Sequence, residues 1–228
     1  MKNTKMRDLY RTSLLIFKKD IRSELRTRYV INSLVMFVLI IISIIKFSLG
    51  EEIVDDEILT GLLWIAIFFS ASNGLSRTFV KEEDKETSAA LKLSADPSAI
   101  IIGKMIFNLF LSYAINILII TLFVLITDYH VKNISGFILI IFIGNLGLVS
   151  ASTIIAAIIS KANNKGTLYP VLSFPILLPL IVTAVNATKL ASIGVSTEKL
   201  MGELQILISY SIVVITASLM LFKYIWED

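Results

Sequence analysis

Cysteine is absent from this chain of 228 residues, and histidine occurs once, as His130. The first absence excludes a disulfide, a thiolate metal site and a CxxCH haem attachment. A lone imidazole leaves a haem or metal without a second nitrogen ligand nearby. His130, in a short polar break at Asp128 to Asn133, reads either as a solvated loop residue or as an axial haem ligand reached from outside. Catalytic patterns are missing as well. The single Gly-Lys pair, Gly103 and Lys104, has Ser98 where a P-loop needs its first glycine, and there is no HExxH or GxSxG. Charge is scarce too: 17% of residues are charged against 56% hydrophobic, at a mean hydropathy of +0.82. A soluble domain could not cover that much apolar surface. The net charge of +3 comes without any soluble recognition module, so no nucleic-acid partner is expected.

What is present is length without interruption. Six apolar runs fall at Tyr29 to Leu49, Ile58 to Ser76, Ile100 to Ile126, Ile134 to Ile159, Thr167 to Ala187 and Leu204 to Trp226. A helix needs about 20 apolar residues to cross the hydrocarbon layer. The fold class is therefore all-α, a polytopic membrane protein expected to form one transmembrane domain over residues 1–228. The first run is too long for a signal peptide and reads as an uncleaved first span.

Lysine and arginine favour the cytoplasmic side of a span. Nine precede Tyr29, and 17 of the 21 fall on the side of the N-terminus. The break Glu51 to Glu57 on the other side holds five acids and no base. Both termini are expected in the cytoplasm, with the bases attracted to anionic inner-leaflet lipid.

Five segments stand out between and within the runs. In residues 1–28, Tyr10, Leu14, Phe17, Ile21 and Leu25 align along one helical face, with Lys18, Lys19, Arg22 and Arg26 opposite. This predicts an amphipathic elbow helix, either a topology anchor in the headgroup plane or a strap around a partner's bundle. Residues 77–99 form the longest cytoplasmic break. There Glu82, Glu83, Asp84 and Lys85 precede an apolar patch containing Leu91 and Leu93, which reads as a solvated connector or as a surface docking on a soluble partner. Asp96 and Pro97 suit the opening of the next helix.

On the third span Lys104, Asn108, Ser112 and Asn116 recur every four residues. The stripe reads as interhelical glue or as a substrate lining, with Lys104 close enough to the end to snorkel out. Gly147 with Ala151 and Ser152 with Ala156 on the fourth span are pairs that let backbones approach closely. The fifth span holds Pro170, Pro175 and Pro179, and Pro175 and Pro179 predict a kink or break of the kind found where transporters gate.

The order of these features resembles the CcmB family. The resemblance is carried by KDIRSELRTR (Lys19 to Arg28), by GLLWIAIFFSASNGLSRTF (Gly61 to Phe79) with Gly61, Trp64 and Arg77, by SAIIIGK (Ser98 to Lys104) and by FPILLPLIV (Phe174 to Val182). The inner loop departs from the family pattern at Asp84, Lys85, Thr87, Ser88 and Ser94. The resemblance implies an ABC-2 type permease of the bacterial inner membrane. It implies a partner ATPase (CcmA-like) that binds and hydrolyses ATP, membrane haem-handling partners (CcmC-like and CcmD-like), a periplasmic haem chaperone (CcmE-like) and two permease copies per complex. Haem would be cargo or handled ligand; no cofactor or metal is expected on the chain itself. Docking on the ATPase falls to Glu82, Glu83, Asp84, Lys85, Leu91 and Leu93. The gate or substrate path falls to Trp64, Asn108, Asn116, Pro175 and Pro179. Alternatives are an ABC-2 permease for a lipid, polysaccharide or drug, a scaffold without transport, or an ion-driven carrier; for the last, no span holds an acid well inside it.

Overall fold

A computed structural model describes residues 2–50, 54–84, 87–162 and 165–227. Among these residues the chain forms nine helices and no strand: α1 (Lys2–Thr27), α2 (Tyr29–Leu49), α3 (Asp56–Leu75), α4 (Val80–Asp84), α5 (Ser88–Ser94), α6 (Pro97–Thr127), α7 (Ile134–Ser160), α8 (Lys165–Ser192) and α9 (Met201–Glu227). Six of them, α2, α3, α6, α7, α8 and α9, are long and apolar enough to cross a membrane. They match the six apolar runs, with α6 and α8 extending beyond the predicted ends.

Helix α7 is the centre of the bundle and packs against α9, α8, α6 and α3. Its small residues permit this. A Cβ on Gly144 would lie 2.7 Å from Cη2 of Trp64, so the indole of α3 rests directly on the α7 backbone. Trp64 is fully buried, and its Nε1 donates to Thr188 Oγ1 of α8 at 2.9 Å. α2 stands at the bundle edge and packs on α3 and α6.

Helix starts follow local chemistry. Asp96 is extended and its carboxylate accepts from the Ser98 N–H at 2.9 Å, with Pro97 as the first helical residue, as expected from the sequence. Between α1 and α2 the chain turns through Arg28 in the left-handed region (φ 51°). Glu24 closes that turn: its Oε1 accepts from Val30 N (2.8 Å) and Ile31 N (3.3 Å), supplying two of the acceptors that the start of α2 lacks.

The elbow helix differs from expectation in the face it buries. Ser13, Ile16, Asp20 and Glu24 are buried, whereas Tyr10, Leu14 and Leu25 are 50 to 61% exposed. α1 lies against α6 of its own chain. Gly103 allows it, since a Cβ there would meet Ser13 O and the Ile16 Cβ at 2.8 Å. Tyr10, Leu14 and Leu25 of the apolar stripe point away from the bundle, as suits a helix in the headgroup plane, while Phe17 meets Phe110 of α6 edge to face at 6.2 Å.

The fifth span is not broken. α8 runs unbroken through Pro170, Pro175 and Pro179. Pro175 and Pro179 lie on its exposed side, while Leu177, Leu180 and Ala184 keep the packed side regular.

Candidate functional site: a buried charge knot below an amphiphilic cavity

The bundle end that carries α1 also carries α4 and α5, which follow α3. Lys104 joins them. Its ammonium lies 3.1 Å from Asp20 Oδ2 of α1 and 3.0 Å from the Thr78 carbonyl, and it forms an ion pair with Glu82 Oε1 of α4. Lys19 adds a second base, 3.1 Å from Glu82 and 3.2 Å from Asp20. Side-chain exposure is 3% for Lys104, 8% for Glu82 and 10% for Asp20, so these three are largely removed from water, while Lys19 at 48% stands at the rim. Lys104 also stands 5.5 Å from the centre of the Phe79 ring, a cation over an aromatic face.

Burial pushes the Glu82 carboxyl up, yet the two ammonium groups, Lys104 first, outweigh it and hold the group below its ordinary value of 4.5. Lys19 shows the converse: burial lowers it, and Asp20 and Glu82 together raise it above 10.5.

These contacts correct two expectations. Lys104 does not snorkel out; an acid from each side of it draws the ammonium inward. Glu82 is 6% exposed and faces the bundle, so its side chain is not offered to a docking partner. Glu83 is half-buried, 3.6 Å from Lys161 and accepting from Ser88 Oγ at 3.1 Å. Lys85 lies outside the described residues; Asp84 ends α4. Leu91 packs on the inner apolar cluster, whereas Leu93 is 91% exposed and Ala89 and Ala90 are exposed beside it.

Aromatic residues hold α4 and α5 from the other side. Phe79 lies 5.3 Å from Phe222 and 5.6 Å from Trp226 of α9, ring centre to ring centre. Lys92 and Lys161 each stand 5.9 Å from the Trp226 ring.

Further into the membrane the α6 stripe is joined to α7. Asn108 donates to Thr153 Oγ1 (2.9 Å) and accepts from Thr78 Oγ1 (3.2 Å). Ser112 (2.6 Å) and Asn116 (2.9 Å) both donate to Asn145 Oδ1. Asn108 also borders a cavity of about 860 Å³ between α1, α2, α3 and α6, with Asp20, Glu24, Phe69, Asn73 and Phe107 in its wall. Trp64, Pro175 and Pro179 are not in that wall. At the opposite end Tyr129 is buried against Thr60 (2.9 Å) and His130 beside it is exposed.

Asp20 and Thr78 escaped the sequence reading. Ser13, Ile16, Asp20 and Glu24 do follow helical spacing, so two acids on one edge of a basic helix were the signal available.

Six spans, an elbow helix tied to a following short-helix segment, and a match of the CcmB protein family model to residues 11–223 agree. The chain belongs to the CcmB family. It is accordingly a multi-pass membrane permease subunit of the haem exporter for cytochrome c maturation. A search of curated proteins returned no match. Among the described residues, no three His, Cys, Asp or Glu side chains are grouped to hold a metal ion.

Proposed function

We propose that this CcmB chain is the non-catalytic half of an ATP-driven exporter, and that residues Phe79 to Pro97 receive the movement of a cytoplasmic ATPase. Lys104 carries the reading. One buried ammonium binds α4 through Glu82 and α1 through Asp20 while sitting on α6, so none of the three shifts without disturbing the other two. Movement imposed on α4 reaches the elbow and a membrane-spanning helix together. The partner ATPase supplies ATP hydrolysis. CcmC-like and CcmD-like membrane proteins and a CcmE-like chaperone handle the haem, two permease copies pair with two ATPases, and both termini face the cytoplasm of the inner membrane.

Leu93, exposed at the tip of α5 with Ala89 and Ala90, is the docking contact. Leu93→Asp places a carboxylate at the centre of that patch without touching the packed core. Co-purification of the ATPase and formation of c-type cytochromes should both be lost. Survival of both would exclude α5 as the receiving surface.

A further inference from the structure

The coupling route makes no use of the 860 Å³ cavity itself. Its wall has an apolar side, made by Phe37, Phe69 and Phe107. Phe37 lies eight residues into α2, and Phe69 lies six residues before the end of α3. At 1.5 Å per residue these rings sit about 9 to 12 Å inside the spans, at the depth of acyl chains. Phe69 is 50% and Tyr29 64% exposed, so the wall is not sealed and its opening meets lipid.

The other side carries a cation without a carboxylate. Arg77, just past α3, is exposed and makes no ion pair among the described residues. The Ser72 and Tyr169 hydroxyls are buried in the same wall and turned toward one another. Among acceptors in the wall, Glu24 is engaged by the start of α2 and Asn108 by Thr78, and Asp20 is paired with Lys104 and Lys19 although its Oδ2 accepts no hydrogen bond. Glu82 Oε2 accepts no hydrogen bond, but its carboxylate is neutralised by two ammonium groups. At roughly 30 Å³ per water, filling the volume would place about 30 waters beside three phenyl rings. A group rich in acceptors, carried on a hydrocarbon chain, matches the wall better. A phosphodiester with its glycerol esters is such a group, and guanidinium is its natural partner.

We propose that the cavity holds the headgroup end of one phospholipid from the leaflet on the α1 side. Its phosphate lies on Arg77 and its first acyl segment along Phe37, Phe69 and Phe107. The proposal stands apart from the coupling route, because occupancy needs no ATPase.

Native mass spectrometry of the full chain in mild detergent tests it. The wild type should retain one phospholipid. Retention should fall about tenfold in Arg77→Gln, the loss of a charge-assisted contact, and stay unchanged in Lys223→Gln, an exposed base of α9. A second measurement does not depend on retention in detergent. In vesicles of phospholipid brominated near the glycerol, the emission added by Phe69→Trp should be quenched, and less so when Arg77→Gln is combined with it. Equal retention in Arg77→Gln overturns the assignment. So does a porphyrin retained in place of phospholipid, or absence of both the retained lipid and the quenching.

Discussion

Lys104 of α6 and Glu82 of α4 form a buried ion pair across 22 residues of sequence, and the same ammonium reaches Asp20 of α1. Removing one partner of a buried pair leaves a charge without compensation, which typically costs about 3–5 kcal/mol. Lys104→Met should therefore lower the melting temperature of the detergent-solubilised chain sharply. Combined with Glu82→Gln, it should cost less than the two changes summed, because Asp20 keeps Lys19 at 3.2 Å. Strict additivity in that cycle would mean the pair does not join α4 to α6.

The same knot sets a pH dependence. Glu82 titrates below 4.5 in the folded chain, so its contribution is fully present above about 4.5 and is lost as pH falls through the lower folded value. Lys19 titrates above 10.5, so its contribution is present below that value and is lost as pH rises through the raised one. Melting temperature against pH should be level between these limits as far as these groups set it. Glu82→Gln should shrink the acid limb. An acid limb unchanged by that substitution would remove Glu82 from the account.

Six spans could be read from this sequence because apolar length is a local property. Pairing was harder. The spacing of Lys104, Asn108, Ser112 and Asn116 showed that a polar stripe exists, but not that α7 would meet it through Asn145 and Thr153. Lys104 looked free to snorkel because the acids that hold it lie 84 residues earlier, in Asp20, and 22 earlier, in Glu82. The prolines of α8 predicted a kink or break, and the helix continues through all three. A proline forfeits the bond to the preceding turn whichever way its ring points, so what a span tolerates is settled by the neighbours around it, which one segment does not reveal.

Orientation can be tested directly, since no native cysteine competes for label. Ser94→Cys and His130→Cys are both at exposed positions, on opposite ends of the bundle. A membrane-impermeant maleimide should react with His130→Cys in intact spheroplasts and with Ser94→Cys only after permeabilisation. The reverse pattern would place α4 and α5 outside the cell and exclude an ATPase partner there.

Close packing at the centre predicts an overpacking defect. Gly144→Ala sets a methyl 2.7 Å from the Trp64 ring, which is held by its bond to Thr188. The indole must move or the helices must part, at about 1–3 kcal/mol. Trp64→Phe in the same chain should recover part of the loss by shortening the ring system. If Gly144→Ala melts like the wild type, α3 and α7 are further apart than described.

Trp226 makes the last turn of α9 a support for the segment that precedes α6. It is 1% exposed, stacks on Phe222 at 5.5 Å and carries Lys92 of α5 and Lys161 at equal distance from its ring. A cation over an aromatic face contributes about 0.5–1 kcal/mol at an exposed site and about 2 kcal/mol when desolvated, and truncating a buried tryptophan costs about 3–5 kcal/mol overall. Trp226→Phe keeps an aromatic face at reduced size, so it should separate local loosening from global unfolding. Limited trypsin digestion should cut after Lys92 several-fold faster in Trp226→Phe, while cleavage after Lys18 of the elbow helix stays at the wild-type rate. Equal acceleration at both sites would indicate general instability, and no acceleration at Lys92 would show that α5 is held by α6 and its own chain neighbours alone.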